Sequence, residues 1–244
     1  MTIAWFAHFR DHNAPDQKIT DEERLHVMQI VAATPGLKQG LVFTPWPPLE
    51  DLFFDDGLPP QLALELYFDD IADLERALAK DGHLQALTLD GALPSLRGAT
   101  VEEQAMLARG FATPDPQFRT PEGQPHCSFI VHYPGSADDL NAWLIHYFAH
   151  HARIMVTFPQ VRQVEICTRL DWCSEMPWKR VNHMQRNKVV YDDGKALQAA
   201  QTSAVLKEMR ADFHRFPPFT GGNIHYPMAT WAVRPFTQAA QEAM

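Results

Sequence analysis

The chain has little cysteine, and none where cysteine does special work. Cys127, Cys167 and Cys173 are an odd three with no Cys-x-x-Cys pair, so neither a disulfide framework nor a thiolate zinc site is expected. No run of lysine and arginine occurs and the net charge is −9, which argues against a nucleic-acid partner. No apolar stretch approaches the ~20 residues of a membrane span. The opening MTIAWFAHFRDH lacks the basic-then-apolar order of a secretory signal, so a cytoplasmic location is expected. There is no G-x-S-x-G, P-loop or dinucleotide fingerprint. Serine-nucleophile hydrolysis and nucleotide chemistry are therefore disfavoured. What remains is a chain of 244 residues, 45% hydrophobic, with 12 histidines. That is enough for one large or two small domains.

The chain matches itself when slid by 124 residues. WFAHFR falls on FIVHYP, so His8 meets His132. LHVMQIVAATPGLKQGLVFT falls on AHHARIMVTFPQVRQVEICT, pairing His26 with His150, Pro35 with Pro159 and Thr44 with Thr168. At 123, LYFDDIADLERAL meets VVYDDGKALQAAQ. Several matches in chain order point to duplication. Each half reads β-α-β-β-α-β, the ferredoxin-like motif. Strands such as SFIVHY are rich in β-branched and aromatic residues. Acidic Asp21, Glu22 and Glu23 open one helix, and Ser136 is the expected N-cap of another. Proline ends both leading helices. The expected boundaries are 1–111 for the first repeat, mainly scaffold, 112–125 for a linker, and 126–244 for the second repeat, carrying the site. PWPPLEDLFFDDGLPP (Pro45–Pro60) is a proline-rich insert, and DWCSEMPWKRVNHMQ (Asp171–Gln185) is its counterpart. A four-stranded sheet with helices on one face leaves the other bare. Two such sheets face to face bury both. The expected fold is thus α+β, with tandem repeats forming an intramolecular α/β barrel.

His146, His150 and His151 fall on one predicted helix. At 100° per residue from Leu140, Trp143, Leu144, Tyr147, Phe148, Ile154, Met155 and Phe158 lie within about 80° and form the stripe facing the sheet. His151 lies at about 20°, inside the stripe, with His150 at its border and His146 beyond. A buried His151 is either a hydrogen-bonded core residue or a neutral general base. Zinc at His146 and His150 lacks the glutamate and third ligand of the usual motif, so no metal is expected.

The run His151-Ala152 to Phe158-Pro159, followed at once by a strand, resembles EthD-type proteins of the dimeric α/β-barrel superfamily. Gln160 stands where the pattern has glycine, which the first half keeps as Gly36. Val27 stands where the second half has His151. The resemblance implies a cleft between helices and sheet, and chemistries from lactone isomerisation to cofactor-free or haem-dependent oxygenation.

Around that cleft, His151, His132 and Tyr191 are the expected catalytic groups, Tyr191 as a donor to an oxyanion. His132 and Tyr133 alternate along one strand, so only one faces the cleft. Arg169 and Arg186 are expected to clamp a carboxylate, with Trp172, Tyr147, His150, His183 and His225 lining the site. The segment FPPFTGGNIHYPMATW is expected to fold over it. The expected function is cofactor-free acid/base hydrolysis or isomerisation of a small carboxylated intermediate (lactone, ester or ring-cleavage dienoate) of aromatic catabolism. The partner is a small anionic substrate, and the state a monomer or homodimer. The alternatives are a haem-binding monooxygenase of the same superfamily and a non-catalytic binding protein.

Overall fold

The computed structural model describes residues 1–49 and 58–235. Part of the Pro45–Pro60 insert thus lies outside the described residues. The first half runs β1 (Thr2–Arg10), α1 (Asp21–Ala32), β2 (Leu37–Pro45), β3 (Leu62–Phe68), α2 (Ile71–Leu78), β4 (Thr100–Phe111). The second runs β5 (His126–Tyr133), α3 (Leu140–His146), a π turn (Tyr147–His151), α4 (Ala152–Met155) and β6 (Gln163–Arg169). It continues through the two-residue β7 (Lys179–Arg180), β8 (Gln185–Tyr191), α5 (Gly194–Gln201), α6 (Ala204–Phe213) and β9 (Ile224–Val233).

Local chemistry explains the helix starts. Thr20 and Glu23 form a reciprocal capping box on α1: Glu23 N donates to Thr20 Oγ1 at 3.1 Å, and Thr20 N to Glu23 Oε2 at 2.7 Å. The N-cap of α3 is Asp139, whose carboxylate accepts from Ala142 N at 2.9 Å. Ser136, the expected cap, instead joins Thr220, because the helix starts a turn later. The two proline stops end alike: Gly36 has φ +73° and Gln160 φ +60°.

Each half pairs its strands in the ferredoxin-like order, β4-β1-β3-β2 and β9-β5-β8-β6. The seams β2–β9 and β4–β6, both antiparallel, close eight strands into one barrel. The fold is α+β, with the helices outside. Strand alternation then makes three cores. One lies under each half's helices. The third, including Phe6, Phe43, Tyr67, Met106 and Met228, fills the barrel.

Two polar layers cross the barrel interior, and the repeat built both. Glu65 and Lys188 occupy equivalent positions in the two halves and meet at 2.6 Å, with Glu165 at 3.2 Å from the same ammonium. His8 and His132, also equivalent, bring their rings to 4.9 Å. Burial pushes Glu65 up to about 8, so one carboxyl of this Lys188 group tends to keep its proton near neutral pH.

The inserts are exchanged between halves. Trp172, Met176 and Trp178, from the second half's insert, join the first half's outer core. Trp178 stacks on Trp5 at 5.9 Å and meets Phe9 edge-on at 5.3 Å. Reciprocally, Trp46 and Leu49 pack on the second half's core. Trp46 lies so close to Gly194, at the start of α5, that a Cβ there would come within 2.5 Å of Nε1. No helix among the described residues is long and apolar enough to cross a membrane.

Candidate active site

A hollow of about 300 Å³ lies between the helical face of the second half-sheet, the α3–α4 run and α6. Phe129, Val131, Tyr133, Val189 and Tyr191 form its sheet wall. Tyr147, His151, Met155 and Phe158 form one helical wall, and Leu206, Met209 and Phe213 the other. Arg210, His214, Gln201, Asn223 and His225 complete the lining.

His151 is buried, at 5% exposure, yet its ring lines this space. Its Nδ1 is 2.9 Å from Asp212 Oδ2, and the other oxygen of Asp212 is 3.1 Å from His146 Nε2. A buried carboxylate accepting from Nδ1–H fixes the tautomer with its lone pair on Nε2. No side chain among the described residues takes that atom in a hydrogen bond. Burial lowers the imidazole to about 4 although Asp212 pulls the other way, so the ring is neutral at pH 7. The π turn places Tyr147 and His151 together, ring centroids 4.8 Å apart, with Phe216 also at 4.8 Å from His151.

Phenols form the floor. Tyr133 is hydrogen-bonded to Tyr147 and Asn223, and burial pushes it up to about 12. Tyr147 Oη accepts from Asn187 Nδ2 at 2.5 Å, and Asn187 Oδ1 from Gln185 Nε2 at 2.9 Å. Tyr191 is buried and raised. Near neutral pH these phenols are protonated donors.

Of the expected site residues, the hollow gathers His151, Tyr147, Tyr191 and His225, the last stacked on Phe129 at 5.3 Å. His132 is elsewhere: on β5 Tyr133 shares the face of Phe129 and Val131, and His132 points into the barrel. Arg186 and Arg169 follow the inward parity of their strands, Arg186 touching His132 and Arg169 opposite Met106 at the β4–β6 seam. They do not clamp anything beside His151. His183 lines the barrel mouth. Trp172 belongs to the first half's core, under the Arg180 guanidinium at 4.4 Å from its ring centroid. His150, at the border of the apolar stripe, is exposed. The segment with His225 forms β9 and supplies wall rather than lid.

Asp212 and Tyr133 are the residues that sequence reasoning missed. Tyr133 was available from parity with Phe129 and Val131. Asp212 had one weak signal, an acid on the otherwise apolar face of a helix ending Ala-Asp-Phe. Among the described residues, one group has metal-ligand spacing, Glu65, Glu165 and Cys167; it surrounds the Lys188 ammonium inside the barrel.

The closed barrel of two ferredoxin-like repeats with helices outside defines the architectural class, the dimeric α/β barrel, here built by one chain. Solved structures agree. An anthrone oxidase-like protein superposes with TM-score 0.61 at 11% identity, covering 95% of this chain and 93% of its own. A provisionally assigned monooxygenase of Lactobacillus acidophilus gives TM-score 0.55 at 9% identity, with 96% of each chain covered. One from Fusobacterium nucleatum gives 0.58 at 6%, with 96% and 94% covered. These likenesses show the fold, a dimeric α/β barrel. No family model and no curated protein matches the chain.

Proposed function

We propose that the chain is an oxygenase that needs no bound cofactor and acts on a planar phenolic ketone with an acidic methylene, of the anthrone type. One observation carries this: a neutral imidazole, oriented by buried Asp212, presents Nε2 to an aromatic-walled hollow. The names of the similar folds support oxygenation over other base-initiated reactions. His151 Nε2 takes a proton from the methylene, and Asp212 stabilises the imidazolium. Tyr133 donates toward the enolate oxygen, with the Tyr147 hydroxyl donating to Tyr133 behind it. The carbanion passes its electrons to dioxygen, and a C–O bond forms. His151 returns its proton to give the hydroperoxide. Loss of water leaves a carbonyl. One dioxygen is consumed and one water released per methylene oxidised, so no outside reductant is required.

Hydrolysis or isomerisation of a carboxylated substrate would use the same base, but its expected anchors, Arg169 and Arg186, lie away from the hollow. Haem is poorly accommodated. His151, with Nδ1 on a carboxylate, has the form of an axial ligand. Yet a hollow of about 300 Å³ is at the small end for drug-sized ligands, and a macrocycle with two propionates exceeds it.

The test is oxygen uptake and quinone absorbance with anthrone, corrected for the spontaneous rate. Uptake equal to ketone formed, with no Soret band, is expected. His151→Gln should slow turnover by about 100-fold or more. Activity that follows a Soret band, or is indifferent to His151→Gln, would overturn the reading.

A further inference from the structure

Arg186 is a buried cation with no carboxylate in contact, Glu102 and Glu65 acting on it only from a distance. It is 1% exposed, and no carboxylate among the described residues forms an ion pair with it. Its Nη1 lies 2.9 Å from His132 Nδ1 and 3.3 Å from His8 Nε2, its Nε 3.4 Å from Gln104 Oε1, and its Nη2 has no partner. Phe6 offers a ring face at 5.3 Å. Lys188, one layer deeper, has two carboxylates. Burying a guanidinium among neutral groups is costly, and burial brings Arg186 down to about 10, still charged at pH 7.

The two histidines on Arg186 also line an open cavity of about 430 Å³ at the barrel mouth, joined by His183, Arg10 and Tyr226. His183 keeps a buried Nδ1 without a partner. The carboxylates on this lining are engaged: Glu102 with Lys179 at 2.7 Å, and Asp11 with the backbone N–H groups of Asn13 and Ala14 at 2.9 and 3.2 Å. Arg10 donates to Leu58 O at 2.7 Å. Imidazole donors beside an open cavity, backed by a guanidinium that has no carboxylate in contact, are what an anion needs.

We propose that the barrel mouth is a second ligand site, separate from the His151 hollow, which takes a small carboxylate or inorganic oxyanion among His8, His132 and His183, with Arg186 supplying the charge behind them. The site does not depend on the oxygenase reading.

Titrating the full chain with sodium benzoate and with inorganic phosphate, by calorimetry and by histidine side-chain ¹⁵N shifts, tests it. Saturable binding of at least one anion, with shifts at His8, His132 and His183 and not at His151, is expected; the anion that binds identifies the source. Arg186→Met should weaken it about tenfold or more. An apolar replacement of an unpaired buried charge is generally tolerated. His183→Gln, at the half-buried rim, decides the matter should Arg186→Met fail to fold, and should weaken binding about threefold or more. No saturation with either anion, equal binding in the folded variants, or loss of binding in His151→Gln would overturn the proposal.

Discussion

His151 can accept a proton only while neutral, and its environment keeps it so down to about pH 4. Base-dependent kcat/KM should therefore be flat from pH 5 to 8 on this group and fall as pH drops through about 4. Asp212→Asn removes the groups that raise the imidazole and lets an amide N–H face Nδ1, moving the ring hydrogen to Nε2. Turnover should fall about 100-fold or more with the fold retained; kcat within a few-fold of wild type would show that tautomer control is unimportant. Gln160 offers an independent check at the same scale. It holds a left-handed φ of +60° where its counterpart is Gly36. Gln160→Gly should stabilise the chain by about 1 kcal/mol, raising Tm about 2–4 °C. Both residues were visible beforehand, His151 through the angle it makes with the apolar stripe and Gln160 through the repeat. Asp212 was not, because its partner lies 61 residues away and no local period links them.

At the scale of the element, the helical wheel placed His151 correctly but took the helix as regular. The π turn at Tyr147–His151 inserts one residue, which leaves no mark in the apolar pattern. His150 is outside, while His151 and Tyr147, four residues apart, share the hollow. Deleting Ala149 should restore an α turn and leave the flanking residues close to their present directions, with His151 still facing the hollow. Turnover should stay within a few-fold of wild type with an unchanged circular dichroism spectrum; a fall to the His151→Gln level would show that the π turn itself sets the site. Strand parity was equally legible for β5, where alternation allowed one of His132 and Tyr133 at the cleft. Which face met the helices was readable from Phe129 and Val131, and the rich chemistry of histidine distracted from it.

For the whole molecule, the duplication and its closure into a barrel could be read from the repeat offset alone. The exchange of inserts could not, since nothing in Asp171–Gln185 says which half its tryptophans cover. The closed interior also sets the response to acid. His8, His132 and His151 are buried with lowered values, whereas unfolded histidine titrates near 6.5. Between about pH 6.5 and 4 the unfolded chain thus binds more protons, so stability is full above that window and lost as pH falls through it. For His151 the loss is roughly 2 kcal/mol by pH 5. His183 and His126 are lowered as well, whereas Glu65, raised to about 8, and Glu103, also raised, work in the opposite sense. Urea midpoints should decline steadily from pH 7 to 5; a rise would show that the carboxyls dominate.

Each repeat is custodian of its sibling's interior. Trp178 belongs by sequence to the second half but covers the first, half-buried against Trp5 and Phe9. Trp178→Ala should uncover Trp5 and Phe9 in the first repeat, at a cost of about 1.5–3 kcal/mol, read as a lowered urea midpoint. A change drawn on one half of the gene would surface as lost stability in the other, so neither repeat can be redesigned as if it stood alone.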